Sequence, residues 1–216
     1  MRVRRIVDLT HIVSPAIQVY PGDPAPTFTP HATVETDGFD LMRIDMGSQT
    51  GTHVDAPRHV RSGGAAIDAV PPENFVGRGV VLDVRARVGA GALVTADMWG
   101  GPAIGSGDIA LVLTGWSRYF GTDRYFEHPA LSVDACRWLL DRGVRTVGID
   151  APSVDPTGDE TLAAHHVLAD AGAIICENLR NLDAIDFADP LVSLLPIPFA
   201  GVDGAPVRAV AMQIEK

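Results

Sequence analysis

The feature that most restricts the fold of this chain is a series of short apolar runs, each closed by glycine, proline or a polar residue. The runs occupy residues 80–84, 109–114, 146–150 and 172–176, and a less regular run follows at 207–214. Runs of this length between turn-forming residues are typical of strands that are buried on both faces. The 22 Gly and 16 Pro are spread along all 216 residues, which predicts many short elements joined by tight turns rather than a helical bundle.

Two segments between these runs carry helical signals. Ser132 is a suitable cap for a helix over 133–142 that ends at Gly143, and Asp159 for a second helix through about residue 171. Each helix leads into an apolar run, which indicates the α/β class. Since the first half has strands with little helix between them, we expect a mixed sheet. We also expect residues 1–216 to form a single domain, because about 100–200 residues is the usual domain size.

The charge and hydropathy of the chain exclude several classes of function. Lys and Arg number 17 against 27 Asp and Glu, a net charge of −10, so a phosphate backbone would repel the protein and we expect no nucleic-acid partner. No stretch approaches the roughly 20 apolar residues of a membrane span, and no apolar stretch of the secretory type follows the N-terminus. Cys136 and Cys176 stand in apolar surroundings and are expected to be free thiols. These observations predict a cytoplasmic protein without membrane attachment.

The densest group of potential ligands lies between Gln49 and His59. Pro57 and Gly51 disfavour a helix there, and in an extended segment alternate side chains share a face. His53 and Asp55 should therefore point the same way, about 6–7 Å apart along the strand. An imidazole and a carboxylate are two parts of a facial metal triad, for which Gln49 or His59 could supply the third. The same spacing also fits polar loop residues that bind nothing.

Two residues of the last quarter are further candidates. His165 falls on the apolar face of the second predicted helix, and Glu177 ends the apolar run 172–176. A carboxylate at the carboxyl end of a buried strand occupies the position where α/β proteins place their sites. The alternatives are a core histidine that binds a carbonyl and a glutamate that is already in water. The chain has no nucleophile elbow, P-loop or dinucleotide fingerprint.

Several motifs follow one another in a recognisable order. Residues 51–59 read GTHVDAPRH, which is similar to the signature H-x-G-T-H-x-D-x-P-x-H. The other matching segments are 19–24, 114–116, 148–155, 164–168, 177–179 and 201–209. Together they cover nearly the whole chain and resemble the cyclase or kynurenine formamidase-like family of metal-dependent hydrolases. The resemblance implies a swivelling β/β/α fold and the hydrolysis of a small amide, cyclic imide or lactone.

The resemblance also implies a set of metal ligands. By position, Gln49, His53 and Asp55 would hold one divalent ion, while His165 and Glu177 would complete a second site. The carboxylates of Asp55 and Glu177 would be shared between the two ions. A hydroxide generated at this centre would then attack the substrate carbonyl.

The remaining roles fall to His59, Tyr20 and Trp116. His59 would be the acid/base, and the two aromatic residues would contact a flat substrate, although either could simply pack in the core. Gln49 stands where the family has a ligating histidine, and Tyr20 stands where the formamidases have tryptophan. An amide oxygen shifts the preference from Zn towards Mn, with one or two ions bound.

The resemblance further implies a small-molecule substrate and a homo-oligomer, either a dimer or a tetramer. Two other functions remain open. If Gln49 marks a weakened metal site, the chain is a non-catalytic homologue that binds a small molecule. The family name also allows a polyketide-type cyclase or dehydratase, which removes water where a hydrolase adds it.

Overall fold

The computed structural model describes residues 2–101 and 103–215. Within these ranges the strands are β1 (Arg2–Asp8), β2 (Thr27–Ala32), β3 (Leu41–Asp45), β4 (His53–Asp55), β5 (Val76–Asp83), β6 (Leu93–Val94), β7 (Asp108–Leu113), β8 (Ala130–Leu131), β9 (Thr146–Ile149), β10 (Ile174–Glu177), β11 (Leu191–Ser193), β12 (Gly204–Pro206) and β13 (Val210–Glu215). The α-helices are α1 (Val34–Asp37), α2 (Val133–Asp141) and α3 (Ala163–Asp170). No described helix is long and apolar enough to cross a membrane.

Nine of these strands form one mixed sheet in the order β1-β13-β11-β5-β7-β9-β10-β4-β12. The central strands β5, β7, β9 and β10 are parallel, and each contains most of one of the four short apolar runs. The flanking strands pair antiparallel, including β4 between β10 and β12. The predictions of an α/β class and a mixed sheet are therefore confirmed.

Apolar side chains cover both faces of the central strands. In β7, Ala110 and Val112 belong to a buried cluster with residues of α2 and α3, while Leu111 and Leu113 belong to a second cluster on the opposite face. This alternation within a continuous apolar run is the behaviour of a strand that is covered on both sides. Cys136 and Cys176 are buried free thiols, one in each cluster, as expected.

Helix α2 begins where the sequence predicts. The Ser132 hydroxyl accepts a hydrogen bond from the Ala135 amide at 3.1 Å, and the helix ends at Asp141, one residue before its predicted end. Gly143, at φ +82°, then allows the chain to turn into β9.

The predicted start of α3 near Asp159 is wrong. Asp159 caps only a local turn, by accepting from the Thr161 amide, and the helix begins at Ala163 after Leu162 adopts a left-handed conformation at φ +44°. The free amides of the first turn, those of Ala164 and His165, donate instead to the carboxylate of Asp155. The cap therefore comes from a residue outside the local sequence pattern.

Candidate metal centre

The pairing of β4 with β10 brings the middle of the chain to its last quarter. In this antiparallel pair His53 lies opposite Glu177 and Asp55 lies opposite Ile175. The alternation of β4 turns His53 and Asp55 to one side and places Val54 in the core on the other. His53 Nε2 lies 3.4 Å from Asp55 Oδ1 and 3.5 Å from Glu177 Oε2.

Helix α3 supplies the fourth side chain of this cluster. His165 Nε2 lies 3.4 Å from Glu177 Oε1 and 3.7 Å from Asp55 Oδ2. Two imidazole nitrogens thus face two carboxylates, and all four residues are buried. Glu177 is held in place because its Oε1 also accepts a hydrogen bond from the Val154 amide at 2.8 Å.

The outer nitrogen of each imidazole is occupied by the protein. His53 Nδ1 donates to the Gly51 carbonyl at 2.8 Å, and His165 Nδ1 donates to Asp155 Oδ2 at 2.7 Å. Both rings therefore turn Nε2 towards the carboxylates. A histidine whose other nitrogen is fixed by a carbonyl or a carboxylate is the usual arrangement of a metal ligand.

The chemistry of these donors fits a divalent cation. Both oxygens of Asp55 are buried and have no hydrogen-bond partner in the described part of the chain, an arrangement that costs several kcal/mol unless a cation compensates it. The distances of 3.4–3.7 Å are long for hydrogen bonds. Two donors that are each about 2.1 Å from a tetrahedral ion lie roughly 3.4 Å apart, so the observed spacing suits ligands of a shared ion.

The electrostatics of the cluster point to the same conclusion. Burial alone would lower the pKa of His53, but the carboxylates of Asp55 and Glu177 outweigh it and hold this pKa well above its ordinary value. For His165, burial is likewise outweighed by the hydrogen bond to Asp155 and by the nearby carboxylates of Asp55 and Glu177, which raise the pKa to about 10. The cluster therefore has a negative potential, and protons compete with a cation for it.

Gln49 lies close to this cluster, and Asp203 fixes the orientation of its side-chain amide. Nε2 donates to Asp203 Oδ2 at 2.8 Å and lies 3.2 Å from His59 Nδ1. A carboxylate requires the NH₂ side of the amide, so Oε1 is turned away from Asp203. This oxygen is buried without a partner among the described residues, and it is the Gln49 atom that remains for a cation.

His59 ends a 3₁₀ turn, Pro57–His59, at the edge of the cluster. One ring nitrogen lies within 4.8 Å of ligand atoms of Asp55 and His165. Nδ1 lies 3.1 Å from Asp203 Oδ2, and the side chain is about one third exposed. His59 is thus placed where it can exchange protons both with the cluster and with solvent.

A cavity of about 250 Å³ opens above these residues, and we call it the metal-site cavity. Its apolar wall is formed by Tyr20, Tyr125, Phe126 and Leu162. The Tyr20 hydroxyl accepts a hydrogen bond from the Gly158 amide at 3.2 Å. The shape and the aromatic wall suit a small flat molecule.

The structure does not bring Trp116 to this cavity. Trp116 is 2% exposed, and its indole nitrogen donates to the Tyr125 carbonyl at 3.0 Å. Gly115, at φ +73°, turns the chain so that the tryptophan enters the core behind the wall. Trp116 therefore contacts Tyr125, which lines the cavity, but does not line the cavity itself.

Sequence reasoning assigned no role to Asp155 or Asp203. Asp155 stands within the matched segment 148–155 and Asp203 within 201–209, so the motifs included both positions. Local spacing does not reveal the partner of either aspartate, because Asp155 binds His165 across ten residues and Asp203 binds His59 across 144. Asn178, which lines the cavity and accepts from the Tyr125 hydroxyl, was not identified as a cavity residue either.

The chain is similar in sequence and in fold to known proteins. The Cyclase family model matches residues 7–156. A kynurenine formamidase of Salinibacter ruber is 35% identical over 209 residues, which is 95% of this chain and 96% of that protein. Isatin hydrolase A of Labrenzia aggregata superposes with a TM-score of 0.87 at 26% identity, over 98% of this chain and 94% of that one.

A further solved structure, described as a potential metal-dependent hydrolase with cyclase activity, is 31% identical with a TM-score of 0.82. It covers 98% of this chain and 99% of its own. The similarity extends over almost the full length of every chain compared. The chain therefore belongs to the cyclase family of kynurenine formamidase-like and isatin hydrolase-like metal-dependent hydrolases.

Proposed function

We propose that this protein hydrolyses the C–N bond of a small aromatic amide or cyclic imide, with ring-opening of a lactone as the related reaction. The observation that carries the proposal is the convergence of two imidazole nitrogens and two carboxylates at the floor of an aromatic-walled cavity. The names of its relatives, kynurenine formamidase and isatin hydrolase, belong to the same class of chemistry.

The ligands of the centre are proposed as follows. His53 and Asp55, with Oε1 of Gln49, would hold one divalent ion, and His165 and Glu177 would complete a second site that shares the carboxylates. The amide oxygen of Gln49 makes the first ligand set richer in oxygen, which favours Mn over Zn. A bound divalent ion supplies Lewis acidity, which lowers the pKa of water and polarises a carbonyl.

His59 is proposed as the acid/base. The carboxylate of Asp203 accepts the Nδ1 proton and leaves Nε2 free to take a proton from the attacking water. His59 would then return that proton to the departing nitrogen. The carboxylate of Asp203 suits this role because its hydrogen bonds from Gln49, Ser48 and His59 outweigh burial and lower its pKa.

The substrate is expected to lie against the ring of Tyr20. Tyr20 and Phe126 meet edge to face, with centroids 6.2 Å apart, and together they form a corner for a flat ring. Leu162 also lines this cavity. We propose Tyr20 as the substrate-binding residue at the position where the formamidases have tryptophan.

We also propose that the chain forms one hydrolase domain that assembles with itself as a dimer or tetramer. β1 and β13 pair with each other, so both ends of the chain contribute to one sheet.

β2 and β3 form a separate two-stranded hairpin, and Phe39, Ile44 and Met42 on it are each about half exposed. An isolated hairpin with exposed apolar residues is only marginally stable in water, and a second copy of the chain would cover it.

The test of the function uses two adjacent histidines on α3. His165→Ala should remove bound metal and hydrolysis together, whereas His166→Ala, whose side chain is outside the cavity lining, should retain both. Metal content is measured on protein without a histidine tag, and hydrolysis is measured on formanilides, isatin and lactones. The product should gain the mass of one water.

The proposal fails if the wild-type protein contains less than about a tenth of an equivalent of metal and added Mn²⁺ or Zn²⁺ produces no activity. A product that loses water would instead identify a dehydratase. Sedimentation of Ile44→Glu, compared with wild type, tests the oligomer separately, since a monomeric wild-type protein would contradict that part of the proposal.

A further inference from the structure

A second cavity, of about 530 Å³, lies at the same edge of the sheet as the metal-site cavity. We call it the arginine cavity, because Arg85, Arg118 and Arg180 line it together with His11. Other lining residues lie at the carboxyl ends of β7 and β9. This is the edge where parallel strands of α/β proteins present their ligand sites.

The three guanidinium groups are not equally neutralised. Arg85 forms an ion pair with Asp83, Nη2 to Oδ2 at 2.6 Å, and its stem lies against Gly115, where a Cβ would be 3.2 Å away. Arg118 and Arg180 have no carboxylate within 4.0 Å in the described part of the chain. Arg118 is instead held over the ring of Tyr119, 4.7 Å from its centroid.

The two acidic residues of the lining, Asp150 and Asp183, form no ion pair with Arg118 or Arg180 within the described part of the chain. The carboxylate of Asp150 is already occupied by the Thr114 amide, the Thr114 hydroxyl and the Gly115 amide, at 2.6–2.8 Å. Burial raises the pKa of Asp150 to about 6 against the effect of those hydrogen bonds. Asp183 is the other aspartate of the lining. Since Asp83 pairs with Arg85, the guanidinium groups that remain for a ligand are those of Arg118 and Arg180.

His11 adds a polar group that lacks a partner. It is 7% exposed and stacks on Phe120 with centroids 3.7 Å apart, and its Nε2 is buried with no hydrogen bond to any described residue. Burial and the charge of Arg180 lower the pKa of His11 to about 4, so the ring is neutral at pH 7. An antiparallel bridge between Thr10 and Leu179 sets His11 beside Arg180.

We propose that the arginine cavity is a second ligand site, separate from the metal centre, which binds a small oxyanion through Arg118 and Arg180. The planar fork of a guanidinium matches the paired oxygens of a carboxylate or a phosphate. These two arginines come from segments 62 residues apart in the sequence and meet at one cavity. Arg85, which is fixed by Asp83, and the buried ring of His11 complete the polar lining of the cavity.

Equilibrium dialysis with labelled inorganic phosphate, and separately with labelled benzoate, tests this site at constant ionic strength. The wild-type holoenzyme should bind at least one of the two saturably. Arg118→Gln and Arg180→Gln should each weaken that binding about tenfold or more, because a charged hydrogen-bond donor is lost. The anion that binds identifies the ligand as a phosphate or a carboxylate.

Arg142→Gln is the matched control. Arg142 also stacks on an aromatic ring, 3.6 Å from the centroid of Trp138, and has no carboxylate partner within the described residues, but it is outside the arginine cavity. The affinity of the Arg142→Gln variant for the anion should stay within about twofold of wild type. Circular dichroism confirms folding, and if Arg180→Gln does not fold, Arg118→Gln decides alone.

His53→Ala distinguishes this site from anion binding at the metal centre. Anion binding that persists in His53→Ala and is lost in the arginine variants supports the proposal. Three results overturn it: no saturable binding of either anion, binding that His53→Ala abolishes and the arginine variants retain, or equal weakening in Arg142→Gln.

Discussion

The metal-site cavity and the arginine cavity lie side by side at the carboxyl edge of one sheet, yet their charges are opposite. Carboxylates dominate the first, where the two oxygens of Asp55 lack a partner among the described residues, and guanidinium groups outnumber carboxylates in the lining of the second. The wall between them is thin, since Phe120 of one cavity meets Tyr125 of the other edge to face, with centroids 5.2 Å apart. One sheet edge therefore offers adjacent places for a cation and an anion.

The difference also shows how each cavity is built. In the metal-site cavity, hydrogen bonds fix the ring nitrogens that face away from the carboxylates. His165 Nδ1 donates to Asp155, and His53 Nδ1 donates to the Gly51 carbonyl. In the arginine cavity, Arg118 stacks on Tyr119 and the Nε2 of His11 has no hydrogen-bond partner in residues 2–101 and 103–215. The first arrangement orients the imidazole nitrogens in the way that metal ligands are oriented, and the second leaves groups available to a ligand that only binds.

The largest expected effect is a loss of metal and hydrolysis on substitution in the metal-site cavity, with hydrolysis almost unchanged on substitution in the arginine cavity. Glu177→Gln removes a carboxylate that faces both histidines, and the loss of metal should reduce hydrolysis about a thousandfold, since the ion contributes several kcal/mol to transition-state stabilisation. Arg180→Gln should leave hydrolysis in anion-free buffer within about twofold of wild type. Steady-state kinetics and metal analysis measure both variants.

The exposed Glu73 provides the control for this prediction, as Glu73→Gln makes the same chemical change away from both cavities. If Glu177→Gln retained metal and more than about a tenth of the activity, the carboxylate cluster would not be the centre.

The second prediction concerns the support of His165. Asp155→Asn should lower metal affinity and activity about 10–100-fold, because the carboxylate that orients the imidazole becomes an amide. It should also reduce the free energy of unfolding by about 1 kcal/mol, since Asp155 caps α3. Competition with a metal chelator and chemical denaturation measure the two effects.

Asp159→Asn is the matched comparison, because Asp159 is only partly buried and, among the described residues, its side chain binds only the Thr161 amide. It should change neither metal affinity nor activity. Equal effects of the two substitutions would mean that the α3 region responds to any local change rather than to the pairing with His165.

The third prediction is a pH dependence in the arginine cavity. The pKa of His11 is lowered to about 4 from 6.5, so below pH 6.5 the unfolded chain takes up a proton that the folded chain refuses. Stability is therefore full above pH 6.5 and is lost as the pH falls towards 4, by about 2–3 kcal/mol. Denaturant titrations at pH 7 and pH 4.5 should show a smaller loss for His11→Phe than for wild type.

Phenylalanine keeps the stacking on Phe120 and removes a nitrogen that has no partner in the described part of the chain, so His11→Phe should be as stable as wild type at pH 7. Parallel loss in both proteins between pH 7 and pH 4.5 would show that other groups account for the acid sensitivity.

The orientation of each candidate ligand could be predicted from short-range patterns, whereas their assembly around a metal was implied only by the resemblance to the family. The period of two placed His53 and Asp55 on one side of a strand, the helical period placed His165 on a buried face, and Glu177 ended an apolar run. These predictions required only one element at a time. The four apolar runs identified the central strands for the same reason.

The remaining features depend on contacts between distant segments. Asp155 sets the start of α3 from eight residues upstream of Ala163, a distance beyond any local capping pattern. The direction of Trp116 is decided by the left-handed turn at Gly115, which the sequence allows but does not require. His11, Arg118 and Arg180 meet only because the strands that precede or follow them are neighbours, so no stretch of sequence reveals the arginine cavity.

The smallest expected effect concerns the aromatic wall of the metal-site cavity. Tyr20→Phe removes only a 3.2 Å hydrogen bond from the Gly158 amide and keeps the ring, so KM for an aromatic amide should rise no more than about threefold. Tyr20→Ala removes the ring itself and should raise KM more than about tenfold, with kcat less affected, because stacking binds the substrate before and during the reaction. Kinetics on a formanilide and on an aliphatic formamide separate the two effects. If both variants changed KM equally, the hydroxyl and its contact with the Gly158 loop would matter and the ring would not.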